Sequence, residues 1–217
     1  MLTINSEGFM QTYENPLIQA IQYYYNGKCK IYFRDGTIRE HFLNHDAVYS
    51  SQYGIPLSND GNLLFVSKWE TGITAFDTCS GCVRWNYKST RIRRVHAYDT
   101  YLVADKMDTE LLQLRLDTGS VIRRIKSSTI DSFFPLYQEK ILVCYIKGKF
   151  ALVDTREMTI VESFSKKDVN PHNCLSVVIT NARLENGKII VTGFESVKND
   201  NILDLTPTWF TRELGSI

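Results

Sequence analysis

Gly72-Ile73-Thr74-Ala75-Phe76-Asp77-Thr78-Cys79-Ser80-Gly81-Cys82-Val83-Arg84-Trp85 is the stretch that decides the fold. Ile73 to Asp77 alternate apolar and polar like a strand. Asp77 to Gly81 carry turn chemistry, and Val83 and Trp85 resume the alternation, so the stretch reads as a β-hairpin. Fainter copies surround an Asp at four other places: residues 31–42 about Asp35, 112–125 about Asp117, 150–164 about Asp154 and 201–214 about Asp204. From Asp35 to Asp204 the successive intervals are 42, 40, 37 and 50 residues. A period near 40, with an insertion in the last interval, suits one four-stranded sheet per repeat.

The other strands fall where such sheets require them. Apolar runs precede each hairpin at 18–25, 63–67, 101–104, 141–146 and 188–194. Before those lie candidate innermost strands at 11–13, 54–57, 94–98, 133–137 and 175–182. Asn59-Asp60-Gly61 and Glu185-Asn186-Gly187 are among the turns between them. No stretch sustains a helical period. A sheet with apolar side chains on both faces cannot stand alone, and radial packing buries both faces while shielding the edges. The expected fold is therefore all-β, a β-propeller of five four-stranded blades. It forms a single domain over 1–217, with blades near 8–43, 53–88, 94–126, 132–164 and 174–214. A β-sandwich or an open β-repeat array is the alternative.

With these residues in view, Gly72-Ile73-Thr74-Ala75-Phe76-Asp77-Thr78, followed by Gly81, Val83 and Trp85, resembles one repeat of the quinoprotein-type (PQQ-like) propellers. More loosely, the repeats are similar to WD40 blades. Leu116-Asp117-Thr118-Gly119 and Leu152-Val153-Asp154-Thr155 match only the middle of that repeat and lack its Trp. The resemblance supports the fold. No cofactor-site residue of the family is matched, so no cofactor is expected.

Composition narrows the function. In 217 residues, 25 Lys and Arg stand against 24 Asp and Glu, a formal charge of +1. That balance argues against bulk nucleic-acid binding and against a basic membrane face. The N-terminus shows no signal-peptide pattern and no run is long enough to span a bilayer, so the expected location is the cytoplasm. The five cysteines, at 29, 79, 82, 144 and 174, read as reduced thiols.

Motifs for catalysis are missing. Cys79-Ser80-Gly81-Cys82 sits in a hairpin turn, without the βαβ setting of a redox motif or the further ligands of a zinc site. His41 and His45 lie on a strand end and its loop, and no Glu follows His41. His96 and His172 stand apart. GxSxG, GxxxxGK[ST] and GxGxxG are all absent from the sequence. Asp46, Asp60, Asp99 and Asp131 lie in or beside loops, where turn geometry is their ordinary role. No metal site is expected, and the chain reads as a non-enzyme.

Between Arg84 and Lys126 there are ten basic residues against five acidic. In a propeller, the links between blades and those between the second and third strands of a blade open on one face. That face would collect Tyr49, Trp69, Arg91, Arg93, Lys106, Met107, His172 and Lys198, and aromatics with Arg on a rigid scaffold are the material of protein-binding hot spots. The expected function is a non-catalytic protein-binding propeller, in its sharpest form a bacterial immunity protein that binds a toxin domain one to one and neutralises it. An interaction scaffold is the first alternative. An enzyme with a glycosidase-like site in the central channel is the second.

Overall fold

The structure is a computed structural model and describes residues 2–4, 8–24, 26–43, 55–107, 110–137, 139–170, 174–197 and 208–216. Five antiparallel sheets follow one another along the chain. Two compact units contain them, one of Met1–Met107 with Leu111–Arg124 and one of Ile125–Ile217 with Asp108–Glu110. No helix among the described residues is long and apolar enough to cross a membrane.

In the first unit, β1 (Leu2–Ile4), β2 (Gly8–Thr12), β3 (Ile18–Tyr24), β4 (Lys28–Phe33) and β5 (Ile38–Phe42) form one meander. β6 (Leu63–Lys68), β7 (Gly72–Asp77) and β8 (Val83–Lys88) form the second sheet. The third holds β9 (Ile92–Ala97), β10 (Tyr101–Lys106), β11 (Glu110–Arg115) and β12 (Val121–Lys126), with β9 and β12 at its edges. The middle sheet is covered on both faces, as its alternation requires. Leu64, Val66 and Phe76 pack against Phe9, Ile21 and Ile31 of the first sheet, while Phe65, Ile73, Ala75 and Trp85 pack against Leu102, Leu112 and Leu114 of the third. Three sheets in succession with a doubly covered middle layer are not a two-sheet sandwich.

The second unit pairs a sheet of β13 (Ile130–Pro135), β14 (Lys140–Tyr145), β15 (Lys149–Asp154) and β16 (Thr159–Ser165) with one of β17 (Cys174–Glu185), β18 (Lys188–Val197) and β19 (Thr208–Ser216). A one-turn helix, α1 (Lys166–Val169), joins the two, capped at Ser165 with Asp168 returning to the cap. Phe150, Leu152 and Phe164 meet Val177, Ile189, Val191 and Phe210 in its core. Glu195, nearly buried, takes both guanidinium arms of Arg212 at 2.6 and 2.7 Å and the amide of Asn170 at 2.8 Å. These charge-assisted bonds hold the Glu195 carboxyl below its usual range and fasten the end of α1 to β18 and β19.

Among the described residues strand numbers depart from four per sheet. The first sheet gains β1, which pairs Leu2–Ile4 with Phe9–Gln11. In the second, the expected innermost strand at 54–57 is reduced among the described residues to one bridge between Leu57 and Leu64. In the last, β19 pairs directly with β18, from Lys188 with Ser216 to Glu195 with Thr208. It therefore holds the third place in the sheet, not the expected fourth. The turn expected about Asp204 and the strand before it lie outside the described residues.

At 35, 77 and 154 the repeated Asp is explained by its hydrogen bonds. Asp35 accepts from Thr37 N at 2.8 Å, Asp77 from Cys79 N and Ser80 N at 3.0 and 2.8 Å, and Asp154 from Arg156 N and Glu157 N at 3.0 and 2.9 Å. Each carboxylate satisfies turn donors that would otherwise need water. These bonds hold Asp35 and Asp77 below the usual carboxylate range. The following Thr reaches inward where the sequence reads Asp-Thr at 77–78 and 154–155. Thr78 Oγ1 donates to Gly61 O at 2.8 Å, and Thr155 Oγ1 to Glu139 O at 2.5 Å, each tying the third turn of a sheet to the first.

Trp85 Nε1 donates to Leu116 O at 2.9 Å, and its ring lies over Gly119 of the third sheet. A Cβ on Gly119 would come within 2.4 Å of Trp85 Cε3, at a φ of +68° that already disfavours L side chains. Gly36 has a φ of +88° but open space around it. Gly119→Ala is therefore expected to lower the urea-unfolding free energy by about 2–4 kcal/mol, and Gly36→Ala by about 1 kcal/mol. Equal losses would show that backbone conformation alone, and not the Trp85 contact, requires glycine at 119.

Candidate functional site

Five of the eight residues singled out from sequence are described, and all five lie in the first unit. Tyr49, His172 and Lys198 lie outside the described residues. The turn between β6 and β7 carries Trp69, 44% exposed. That turn is tight because Gly72, with φ +101°, lets the backbone approach Tyr87 O, where a Cβ would sit only 2.0 Å away. Trp69 O accepts from Arg91 N at 2.5 Å, and Arg91 O accepts from Met107 N at 3.0 Å. Three loops, before β7, before β9 and after β10, are thus joined by main-chain bonds into one edge. Arg91 adopts φ +63° to make both bonds. Such a conformation costs a non-glycine residue about 1–2 kcal/mol and persists where the surroundings fix it.

The strand ends beside this edge concentrate positive charge. Lys68 and Lys88 both flank Gly72 in the register, and Lys106 pairs with Ile92 next to Arg91. Lys68, Lys88, Arg91 and Lys106 therefore lie on the strand ends and loops next to the turn that carries Trp69 and Glu70. An exposed tryptophan on loops joined by main-chain bonds, next to basic strand ends, offers a large contact area with little side-chain entropy to lose.

Arg93 has another task. With Arg94 it faces Asp105, whose side chain is completely buried. Arg94 Nη1 lies 3.2 Å and Arg93 Nη2 3.6 Å from Asp105 Oδ2, and the backbone N–H groups of both arginines donate to Oδ1 at 3.2–3.3 Å. Burial pushes the Asp105 carboxyl up, and the guanidiniums and backbone donors pull against that push. The ion pairs anchor β9 to β10 directly beneath the Trp69–Arg91–Met107 edge. Asp105 was missed in the sequence. Its signal is a single carboxylate directly after the apolar run Tyr101-Leu102-Val103-Ala104, with two adjacent arginines one strand earlier.

The other motifs find structural places. Cys79 and Cys82 are exposed free thiols on the β7–β8 turn. His41 Nε2 donates to Thr78 O at 3.1 Å, and its ring covers Gly81. Asp60 accepts from Ser58 Oγ at 2.5 Å and from Asn62 N at 3.0 Å within its turn. Arg84 pairs with Asp77 at 2.8 Å and Arg115 with Asp117 at 3.3 Å, so part of the basic segment is neutralised locally. No three His, Cys, Asp or Glu side chains among the described residues gather as a metal site. His45, Asp46 and His172 lie outside the described residues.

Comparison with solved structures finds β-propellers. BamB from Moraxella catarrhalis superposes with a TM-score of 0.61 at 13% identity, over 100% of this chain and 61% of that one. The Cps50 (Swd1) β-propeller domain of Myceliophteria thermophila superposes with a TM-score of 0.61 at 10% identity, over 98% of this chain and 73% of that one. This chain thus spans less than two thirds of the BamB chain. At these identities the likeness concerns the fold, and this chain is an all-β protein of the β-propeller class. No family model matches the sequence, and no curated protein matches it.

Removing the carboxylate at 105 takes a buried counter-charge from Arg93 and from the 8%-exposed Arg94. Asp105→Ala is expected to cost about 3–5 kcal/mol in urea unfolding. The Arg115–Asp117 pair is exposed on both sides at 60% and 66%, and Asp117→Ala is expected to cost under about 0.5 kcal/mol. Similar costs for the two substitutions would mean that Asp105 does not anchor β9.

Proposed function

We propose that this chain is a non-catalytic protein-binding propeller whose partner docks on the Trp69–Arg91–Met107 edge. The observation that carries this reading is the edge itself. A half-exposed tryptophan sits on a turn beside the strand ends and loops that carry Lys68, Lys88, Arg91 and Lys106, and the three loops are joined by the bonds from Arg91 N to Trp69 O and from Met107 N to Arg91 O. A preformed edge loses little conformational entropy on binding, so one large aromatic anchor can contribute most of the affinity. The lysines and Arg91 would draw in and orient an acidic partner, making association fast at low salt and slower as salt screens it.

The finer form of the proposal is an immunity function in the bacterial cytoplasm. The partner is then a toxin domain, held one to one, and its action is blocked by occlusion. Rigidity supports this form over a scaffold, because an edge fixed by main-chain bonds suits one surface and repacks poorly for several.

The test starts with affinity capture from the source organism, followed by calorimetry on the captured protein. Trp69→Ala combined with Arg91→Ala is expected to weaken one-to-one binding 100-fold or more, about 2.7 kcal/mol, and with it any inhibition of the partner's activity. Unchanged affinity in the double variant would rule out this edge. Several unrelated weak partners would favour the scaffold.

A further inference from the structure

The opposite end of β9 from Arg91 borders a cavity of about 280 Å³, which opens between Gln11 and Tyr13, the segment Ile55–Asn59, and Val95–Ala97. Its walls are already bonded to one another. Tyr13 Oη donates to Ile55 O at 2.8 Å, and Ile55 N donates to Gln11 Oε1 at 2.8 Å. Asn15 is used at both ends of its amide, donating to Ser58 O and Asn59 O and accepting from Leu17 N and Ile18 N. Burial raises the Tyr13 hydroxyl far above its ordinary range, so it stays a neutral donor. The cavity is preformed.

What it leaves unsatisfied is main chain. Among the described residues β9 is an edge strand whose strand partner is β10 alone, with Ser67 Oγ donating to Arg93 O at 3.4 Å nearer its other end. Its register pairs Ala97 with Leu102, His96 with Val103 and Val95 with Ala104, and Tyr98 N donates to Tyr101 O at 2.8 Å. In an antiparallel pair the residues alternate between facing the partner strand and facing away. Tyr98 faces β10, so His96 does too, and Val95 and Ala97 turn their N–H and C=O groups outward. No described residue takes those groups up. Two donors and two acceptors, about 6.8 Å apart along the strand, thus border the cavity.

His96 adds a side-chain contribution. Its ring packs edge-on against Tyr98, with 4.8 Å between centroids, and it makes no hydrogen bond among the described residues. Burial lowers its pKa to about 4, so near neutral pH it offers one donor and one acceptor and no charge. Glu14, exposed at the mouth, disfavours an anion there.

We propose that this end of the first unit is a second binding site, which takes an extended segment of another polypeptide as an added strand on β9. The incoming main chain exchanges hydrogen bonds with Val95 and Ala97. One uncharged polar side chain, such as Asn or Gln, enters the cavity beside His96. A repeating donor–acceptor pair at strand spacing is what a peptide backbone supplies and a compact metabolite does not. At about 280 Å³ the cavity is at the lower limit for drug-sized ligands, and it has room for a single side chain. The site does not depend on the Trp69 edge.

Peptides selected from a random phage-displayed library against the full chain provide the probe. Their binding is read by fluorescence polarisation on the wild type, on Ala97→Pro and on Trp69→Ala/Arg91→Ala. Proline at 97 removes an outward N–H and spares the ladder to β10, a position where an edge strand tolerates it. Selected peptides are expected to bind Ala97→Pro at least tenfold more weakly and the double variant unchanged. An N-methyl scan of the best peptide on the wild-type chain keeps the test independent of that variant's folding. It should lose at least tenfold at alternate residues, with a period of two. Failure to select any peptide, equal binding to Ala97→Pro, or an N-methyl scan without that period would overturn the proposal. Loss confined to the Trp69/Arg91 variant would move the peptide to the other edge.

Discussion

A ring laid over a glycine where consecutive sheets meet is the constraint from which much of the first unit follows. Trp85 covers Gly119, and one sheet earlier His41 covers Gly81. Both glycines have positive φ and close the hairpin turn of their sheet. Neither can carry a side chain, for two reasons that reinforce each other: the backbone conformation and the ring in the space. Both rings also donate to a carbonyl of the turn they cover, Trp85 to Leu116 O and His41 to Thr78 O. Each sheet thereby positions the turn of the next by a contact and a directional bond together. The apolar layers on either side of β6 and β7 can then interlock in a single register.

This explains both the strength and the faintness of the repeat in sequence. The Asp at each turn was legible because its work is local. A carboxylate two or three residues before the amides it accepts from leaves a fixed spacing, as Asp77 and Asp154 show. Thr78 and Thr155 were legible for the same reason, since each binds back to the first turn of its own sheet. The covering ring was harder to see. Its partner lies one sheet away, and the glycine-covering ring is a histidine opposite Cys29 in one sheet and a tryptophan opposite Ala75 in the next, so a pattern written around Trp finds one repeat and misses the other.

Elsewhere the reading stopped where pairing is decided at long range. Nothing in Thr208–Ser216 says that it pairs with β18 in the third place of its sheet; that depends on registration along eight successive pairs. For the candidate site, sequence located the loops but not the burial. Trp69, Arg91 and Met107 read as loop residues, and main-chain bonds join them. Arg93 reads the same way, but Asp105 holds it. Loop position is local information, whereas the commitment of a charge to a buried partner is not.

Asp105 also bears on how the two ends of β9 could work. A buried carboxylate facing two guanidiniums adds little to net stability, because desolvation cancels much of the attraction. What it does impose is geometry. Four donors, two from side chains and two from backbone, converge on one group, and β9 cannot slide against β10 without breaking several at once. The bulge in the ladder between Ala104 and Lys106 falls at that point. With the middle of the strand fixed, Arg91 at one end is held in its left-handed conformation, and Val95 and Ala97 at the other keep their outward groups aligned. Partners meeting either end would encounter a surface that does not adjust, so selectivity rests on how well their own shape and donors match it.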